Sequence, residues 1–370
     1  MSGGVDSSVA ACLLMDQGYE CAGVTLKLHN ENDQKNGRAG GSITPREGTC
    51  CSLSDIEDAK SVAHKLGFPH DVLHFTEDFD EWVVRRFADA YQRGETPNPC
   101  IDCNRFIKFN TIIRRADEMG FDSIATGHYV RREYDAGSGR YILKKGLDSS
   151  KDQSYVLYSL NQNQLSRTLF PLGELSKSQV REIAVSRDFI NARKKDSQDI
   201  CFVPDGDYGA FLERYLARPL VPGNFISPDG KIIGQHRGTP RYTLGQRKGL
   251  GLAQNIFSGN PGYVCNINPS ENTVTVGEES LLFGADLDAY DINLIACSKL
   301  DGDVRLRAKI RYRHTEQPCT VRQTGEDTIH VTFDEPQRAI TPGQAVVLYD
   351  GDTVVGGGTI HINNKYIDAE

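Results

Sequence analysis

The sequence predicts an α/β fold in which an N-terminal domain with a parallel sheet precedes a small β-rich central domain and a C-terminal antiparallel β-barrel. The chain has 370 residues, which is enough for roughly two or three domains. Up to about residue 205, helix-like and strand-like stretches alternate, as in a parallel sheet covered by helices on both faces. Beyond that point short strands and turns predominate. We therefore expect domains at residues 1–205, 206–284 and 285–370.

Capping residues and apolar periodicity divide the first domain into elements. Ser54 and Glu57 form a capping box that begins the second helix. In the third helix, Trp82, Val83 and Phe87 are spaced to face the core. The predicted helices span residues 9–15, 54–66, 79–93 and 103–119, and the predicted strands span residues 19–28, 71–75 and 121–126. Residues 29–49 are polar and glycine-rich, so we expect a mobile loop there.

Proline and glycine separate the remaining chain into short strands. Pro222, Pro228 and Pro240 interrupt the central region, which predicts a small β-rich domain. From about residue 285 only strands and turns follow, with turns at Asp301-Gly302 and Asp350-Gly351. This pattern is typical of a small antiparallel barrel.

Composition excludes several classes of protein. Charged residues make up 25% of the chain and hydrophobic residues 38%, which excludes fibrous and disordered classes. No apolar run approaches the ~20 residues that span a bilayer, and the first residues lack signal-peptide features, so we expect a cytoplasmic protein without a membrane partner. The net charge of −8 argues against a general nucleic-acid coat protein but leaves room for a local basic surface.

The segment Ser2-Gly3-Gly4-Val5-Asp6-Ser7-Ser8 has the properties of a phosphate-binding loop. Its glycines let backbone N–H groups approach phosphate oxygens, and the N-terminus of the following helix adds partial positive charge. The serine hydroxyls provide further donors. No lysine stands where a Walker A loop requires one. An ordinary N-capped helix is the structural alternative, which a bare glycine pair would favour and the full motif does not.

Three of the ten cysteines lie in sequence contexts that favour a catalytic or sulfur-carrying role. Cys100 and Cys103 form a C-x-x-C motif after two prolines, and Cys103 is predicted to begin a helix, where a thiolate is stabilised. Cys201 follows a polar, basic run and is a plausible sulfur carrier. The structural alternative is a set of small core residues, which we accept for Cys12, Cys21, Cys265, Cys297 and Cys319, and also for the Cys50-Cys51 pair.

The loop resembles the pyrophosphate loop (PP-loop) of enzymes that split ATP into AMP and pyrophosphate to adenylate a carbonyl oxygen. It alone does not distinguish GMP, asparagine and argininosuccinate synthetases, tRNA lysidine synthase and tRNA thiolases. With the cysteines included, the chain resembles the bacterial tRNA-specific 2-thiouridylases over nearly its whole length. The matching segments are the loop and residues 50–52, 96–104, 125–129, 151–155, 199–202, 242–247 and 311–314.

The resemblance implies a reaction. ATP, with Mg²⁺, adenylates the C2 oxygen of the wobble uridine of tRNA in a PP-loop ATP-pyrophosphatase domain. Cys201 then delivers sulfur from a persulfide, and Cys103 attacks that persulfide to form a transient disulfide with Cys201. An amide-like carbonyl is a poor electrophile and AMP is a good leaving group, which makes the order of steps chemically coherent. The implied sulfur source is a persulfide donor, either a cysteine desulfurase or a relay protein.

The resemblance also implies which residues bind. The expected ATP contacts are Met1, Ser2, Gly3, Gly4, Val5, Asp6, Ser7, Leu26 and Gly127. The residues expected beside the target base or elsewhere on the tRNA are Asn98, Pro99, Cys100, His128, Lys151, Asp152, Gln153, Arg311, Tyr312 and Gln344.

One basic segment indicates RNA binding independently of the family resemblance. Five cations alternate with mostly apolar residues from residue 304 to 313, namely Arg305, Arg307, Lys309, Arg311 and Arg313. In a strand they would share one face, while the intervening residues, Tyr312 included, would pack inward. A solvated barrel face is the alternative, but such faces usually mix charges. The barrel is therefore expected to contact tRNA through a phosphate track.

Two features depart from the family pattern. Members usually have a further strand before the PP-loop, and Met1 stands where their internal methionine would be. Either the start codon has been placed too late, which we expect, or the chain is impaired. Cys100 occupies a position that is more often aspartate in the family. With Cys103 and Cys201 it would supply three ligands for a [4Fe–4S] cluster, which is an alternative route to the same thiolation.

Two rival functions come from other classes. An amide-forming PP-loop ligase would have no need for the three cysteines. An inactive tRNA-binding protein would bind tRNA without releasing AMP.

Overall fold

The computed structural model describes residues 1–28, 53–196, 200–203, 205–252 and 260–361. Some of the sequence features discussed above lie outside the described residues. They are the predicted loop 29–49, Cys50-Cys51, residue 52 of the family-matching segment 50–52, and Asp199. None of the helices within these ranges is both long and apolar enough to cross a membrane.

The N-terminal domain is α/β with parallel strand pairing, as predicted. Its first elements are helices α1 (Val5–Asp16) and α2 (Leu53–Leu66) and strands β1 (Gly23–Lys27) and β2 (His70–His74). After the two helical regions described below come β3 (Ile124–Ala125), the hairpin β4 (Val130–Asp135) and β5 (Arg140–Lys145), α7 (Gln162–Ser166), β6 (Thr168–Leu169) and α8 (Lys177–Ser186). Among the described residues β1 pairs in parallel with β2 and β3 with β6, so the parallel sheet is present as two separate two-stranded parts.

A long helical region carries two of the candidate cysteines. It consists of α5 (Pro99–Asp102), a π-helical stretch (Cys103–Thr111) and α6 (Ile112–Glu118). The prediction that Cys103 begins this helix is wrong, because the Asn98 side chain accepts a hydrogen bond from Cys100 N at 3.2 Å and caps the helix one turn earlier. Cys100 is thus in the first turn and Cys103 in the second.

The preceding helical region packs beside it. This region consists of α3 (Thr76–Phe79), a π-helical turn (Asp80–Arg85) and α4 (Arg86–Gln92). Val83 and Phe87 are buried as expected, but Trp82 is 40% exposed, so its predicted inward orientation is wrong. A π-helical turn has more residues per turn than the 3.6-residue period assumed for the prediction, which rotates Trp82 away from the core. The Ser54 capping box is also wrong, because α2 already includes Leu53.

The central domain is small and β-rich, as predicted. Helix α9 (Tyr208–Leu216) leads into β7 (Gly223–Ile226), β8 (Ile232–His236), β9 (Tyr263–Asn268) and β10 (Thr273–Gly277). These strands form one four-stranded sheet in the order β8-β7-β10-β9. Phe225, Val264 and Val274 are fully buried in its core.

The C-terminal domain is a closed antiparallel barrel, which confirms the predicted fold. Its strands are β11 (Phe283–Leu294), β12 (Asp303–Lys309), β13 (Gln317–Gln323), β14 (Thr328–Arg338), β15 (Ala345–Asp350) and β16 (Thr353–His361). They pair in the order β11-β14-β13-β12-β15-β16, and β16 pairs back onto β11. The β4–β5 hairpin joins the barrel through Thr353 and Lys144, so the first and last domains share a sheet.

Candidate functional site

The PP-loop is a tight turn that ends at the N-terminus of α1. Gly3 has φ +69°, and a Cβ at this position would lie 2.2 Å from the Asp55 carbonyl oxygen. The Ser7 hydroxyl donates to the Gly4 carbonyl at 3.1 Å and accepts from Ser2 N at 3.1 Å, which fixes the turn from within. In any α-helix the first backbone N–H groups have no acceptor within the helix. Those at the start of α1 can therefore donate to an anion such as a phosphate.

Two buried or half-buried side chains fix the direction of the loop. Asn191, which is 2% exposed, donates through Nδ2 to the Gly3 carbonyl and to the Ser8 hydroxyl, both at 2.9 Å. The Lys194 ammonium lies 3.4 Å from the same carbonyl and 2.7 Å from Asp55. Because the C=O and N–H of one peptide point in opposite directions, these contacts turn the Gly4 N–H away from Asn191 and Lys194.

A network of charges connects the PP-loop helix with the segment that leads to Cys201. The buried Lys177 ammonium contacts both oxygens of Asp6 at 2.8 Å and Asp196 Oδ1 at 2.8 Å. Lys151 and Arg181 also contact Asp196, at 2.9 and 3.2 Å. Burial opposes ionisation of Asp196, but the hydrogen bonds from Lys177 and Lys151 outweigh it and hold its pKa below the usual value. Ion pairs through Lys177 thus join the PP-loop helix to the segment that leads to Cys201.

The segment after β3 lies directly against the PP-loop helix. A Cβ on Gly127 would lie 2.8 Å from the Asp6 carbonyl carbon and 2.9 Å from Ser7 N, so only glycine fits this approach. The Tyr129 hydroxyl donates to Asp6 at 2.7 Å, and burial raises the pKa of Tyr129, which keeps that proton in place. The structure therefore brings Gly127 next to the PP-loop, and its contact with ATP stays a prediction.

His128 is a neutral side chain in this arrangement. Its Nδ1 lies 2.9 Å from Thr126 Oγ1, and its ring centroid lies 5.8 Å from that of Phe109. Burial and the nearby Lys108 cation lower the pKa of His128 to about 3. At neutral pH the imidazole is therefore uncharged. It can donate or accept a hydrogen bond, but it cannot form an ion pair with a phosphate.

The three candidate cysteines differ in accessibility. Cys100 is exposed, Cys103 is buried and Cys201 is half-buried. Cys103 belongs to an apolar cluster that includes Phe87 and Phe202, and Cys201 packs against the same cluster. The Phe202 ring meets the Phe87 ring edge-on at 5.1 Å, which anchors the chain next to Cys201. The structure therefore brings Cys103 and Cys201 to one cluster from sequence positions about a hundred residues apart.

The other five cysteines described by the structure have a different environment. Burial raises the pKa of each of these thiols, which disfavours the reactive thiolate. They are Cys12, Cys21, Cys265, Cys297 and Cys319, the last with a pKa of about 12.

Several of the expected tRNA residues meet near Cys100. The Tyr312 hydroxyl donates to the Asp152 carbonyl at 3.4 Å, and burial followed by the Asp152 charge raises the pKa of Tyr312. Lys151 and Cys100 also lie within electrostatic range of Tyr312. The Asp152 carboxylate accepts from Gly146 N and from Ser154, and is therefore occupied within the fold. The structure groups Lys151, Asp152, Tyr312 and Cys100 on one surface.

Gln153, Gln344 and Arg311 make contacts within the protein. Gln153 Oε1 accepts from Tyr129 N at 3.0 Å, which supports the tyrosine that contacts Asp6. Gln344 Nε2 donates to the Thr96 carbonyl at 2.6 Å and so ties the barrel to the segment before Asn98. Arg311 donates to the Arg338 carbonyl at 3.0 Å.

The side chains of Leu26 and Val5 contribute little exposed surface to the loop. Leu26 and Val5 are buried in apolar clusters. The Met1 carbonyl accepts from Thr25 Oγ1 at 2.7 Å, which aligns this residue beside β1.

The predicted phosphate track is only partly correct. Strand β12 ends at Lys309, so the alternation stops there and Tyr312 is 41% exposed instead of packing inward. Within the strand Arg305 pairs with Asp334 at 2.6 Å, and Arg307 donates to the Glu316 carbonyl at 2.6 Å. Acidic side chains on neighbouring segments partly neutralise this face, which sequence spacing alone did not indicate.

The described residues contain no group of three or more His, Cys, Asp or Glu side chains placed to hold a metal ion. Cys100, Cys103 and Cys201 all lie within the described ranges, so they do not form the ligand set that the [4Fe–4S] alternative requires. Asp6 is bound to Lys177 and Tyr129. Mg²⁺ would therefore be held chiefly by oxygens of the triphosphate, where it would neutralise their charge.

Three members of the site were not predicted from the sequence, namely Lys177, Asn191 and Asp196. A signal was present for Lys177, because it occupies the first turn of α8, where the helix dipole disfavours a cation. A lysine in that position implies nearby acidic partners. Asn191 and Asp196 gave no comparable signal, since their contacts depend on tertiary packing.

Comparisons with known proteins agree with the family resemblance seen in the sequence. Family models match residues 1–205 (tRNA methyl transferase HUP domain), 209–278 (tRNA methyl transferase PRC-barrel domain) and 285–360 (Aminomethyltransferase beta-barrel domain). The tRNA-specific 2-thiouridylase MnmA of Clostridioides difficile is 49% identical over 360 residues, covering 97% of this chain and 96% of that protein. The enzyme of the same name from Acetivibrio thermocellus is 48% identical, with 97% of each chain covered.

Similarity to solved structures is weaker. The U34-tRNA thiolase NcsA from Methanococcus maripaludis, solved with its [4Fe-4S] cluster, is 16% identical at a TM-score of 0.32, covering 59% of this chain and 68% of that one. NMN synthetase from Francisella tularensis gives the same identity and TM-score, covering 52% and 62%. Likeness at this level supports no conclusion about the site.

Proposed function

The chain belongs to the tRNA-specific 2-thiouridylase family, and on that basis we propose that it thiolates tRNA by way of a persulfide on Cys201. The reaction is the ATP-dependent 2-thiolation of the wobble uridine, which makes the protein a tRNA-uridine 2-sulfurtransferase. The persulfide route is carried by one observation: Cys103 lies in the apolar cluster against which Cys201 packs. The ligase and the inactive tRNA-binding protein are not favoured by these relatives.

The first step activates the uridine. The PP-loop and the N-terminus of α1 bind the phosphates of ATP, and the C2 oxygen of the base attacks the α-phosphorus, releasing pyrophosphate. Asn191 and Lys194 hold the Gly3 carbonyl, so the loop is ordered before ATP binds. Neutral His128 and the segment from Asn98 to Cys100 would face the base, and Lys151 and Tyr312 would contact the tRNA.

The second step transfers sulfur. The terminal sulfur of the Cys201 persulfide attacks C2 and displaces AMP, which leaves the base joined to Cys201 through two sulfur atoms. The Cys103 thiolate then attacks the Cys201 sulfur, and the 2-thiouridine leaves with the second sulfur. The two cysteines are oxidised to a disulfide as the transferred sulfur is reduced, so an external thiol must restore them. A persulfide donor protein must then reload Cys201.

Thiolation without iron tests this route. Protein stripped of iron, supplied with ATP, Mg²⁺, unmodified tRNA and a persulfide donor, is expected to form 2-thiouridine, measured by nucleoside chromatography. Because the route needs no metal cluster, restoring iron is expected to leave the yield unchanged. Product that requires iron and rises in proportion to it would overturn the proposal in favour of the cluster.

A further inference from the structure

An exposed aromatic pair lies beside the cysteine-bearing helix. Trp82, the single tryptophan of the chain, is 40% exposed and stacks on Phe106 with ring centroids 5.0 Å apart and planes inclined by 30°. The Arg86 and Arg105 guanidinium groups each lie 5.2 Å from the centre of the Phe106 ring. A partly exposed aromatic pair of this kind offers a flat face on which another planar ring can stack.

The local backbone adds a second observation. Trp82 lies in the π-helical turn Asp80–Arg85, and Phe106 lies in the π-helical stretch Cys103–Thr111. Such turns are rare and frequently occur at functional sites. Here the turn displaces Trp82 from the core and brings it against Phe106.

The pair is close to the reacting groups along the helix. Phe106 follows Cys103 by three residues in the same helical region and packs against the apolar cluster that contains Cys103. Arg86 also contacts Asp102 at 3.3 Å, and Asp102 lies between the two cysteines of the C-x-x-C motif. A tRNA whose wobble uridine reaches Cys100 therefore brings its neighbouring nucleotides near Trp82.

We propose that Trp82, Phe106 and Arg86 form a stacking platform for an unpaired base of the tRNA anticodon loop, adjacent to the target uridine. Unpaired loop bases stack on aromatic side chains and on arginine planes, in an interaction that tolerates any base. A base on the exposed face of Trp82 continues the stack that Phe106 begins, and Arg86 and Arg105, which pair with Asp102 and Asp291, lie against the Phe106 ring. This inference rests on tRNA being the substrate, as assigned above.

Selectively excited tryptophan fluorescence tests the platform directly, because Trp82 is the single tryptophan of the chain. Titration of the full chain with an anticodon stem–loop RNA is expected to quench the emission, over the same concentrations at which filter retention detects binding. The same stem closed as a blunt duplex is expected to leave the emission unchanged. Stem–loop RNA that binds without altering the emission would overturn the proposal.

Kinetics supply the second test. Trp82→Ala is expected to raise the KM for tRNA about tenfold while kcat stays within about twofold, because stacking contributes to binding rather than to chemistry. Trp82→Phe is expected to retain most of the affinity. Tyr134→Ala is the matched control, since Tyr134 is also exposed but lies on the β4–β5 hairpin.

Other outcomes reassign the surface. If Trp82→Ala raised only the KM for a persulfide donor protein, the surface would bind that protein and the tRNA platform would be wrong. If the wild-type chain retained no tRNA on a filter, the assigned substrate itself would fail, and the platform with it.

Discussion

In Cys201→Ser, 2-thiouridine formation is expected to fall at least about 10³-fold while tRNA-dependent release of pyrophosphate from ATP continues. A serine hydroxyl cannot carry a persulfide, so no sulfur reaches the activated base. Adenylation depends on the PP-loop and α1, whose contacts with Asn191 and Lys194 do not involve Cys201. Nucleoside chromatography and a pyrophosphate assay on the same samples measure the two steps separately.

Cys265→Ser is the matched control for this variant. Cys265 is also half-buried, but it lies in the central domain, donates to the Tyr263 carbonyl at 3.3 Å, and has a pKa raised by burial. We expect normal thiolation from it. Undiminished thiolation in Cys201→Ser would contradict the sulfur-carrier role and require another donor to the base.

Gly3→Ala is expected to lower the free energy of unfolding by about 2–3 kcal/mol and to reduce pyrophosphate release at least about 100-fold. An L-residue at φ +69° is strained, and the added methyl would lie 2.2 Å from the Asp55 carbonyl oxygen. The turn must shift, and with it the Gly4 N–H and the first N–H groups of α1. Denaturant unfolding and a pyrophosphate assay measure the two effects.

The adjacent glycine is the control for Gly3→Ala. Gly4 has φ −86°, and a Cβ there would contact only the Ser2 hydroxyl, at 3.4 Å, among the described residues. Gly4→Ala is therefore expected to change the free energy of unfolding by less than about 1 kcal/mol. Equal stability of Gly3→Ala and wild type would show that the loop does not need its left-handed glycine.

The fold classes could be predicted because they depend on local signals. Strand–helix alternation indicated the N-terminal α/β domain, and turns such as Asp350-Gly351 indicated the barrel. The errors occurred where local periodicity changes. A π-helical turn rotated Trp82 outward, and the end of β12 at Lys309 exposed Tyr312. Neither change leaves a composition signal in a single sequence.

Part of the arrangement around the PP-loop depends on residue type. Gly3 adopts a left-handed turn, and Gly127, which the family resemblance indicated, lies against Asp6 and Ser7 where no Cβ fits. The ion pairs that join Lys177 to Asp6 and Asp196 were not predictable, because they bring together residues about 170 and 20 positions apart. Tertiary packing, rather than any motif, creates that connection between nucleotide loop and cysteine segment.

The most direct test of the persulfide route is a single turnover without reductant. Protein carrying one persulfide on Cys201 is mixed with ATP, Mg²⁺ and unmodified tRNA, quenched in acid, and its cysteine peptides are analysed by mass spectrometry. We predict a Cys103–Cys201 disulfide in amounts equal to the 2-thiouridine formed. A full yield of 2-thiouridine with both cysteines still present as thiols would contradict the route.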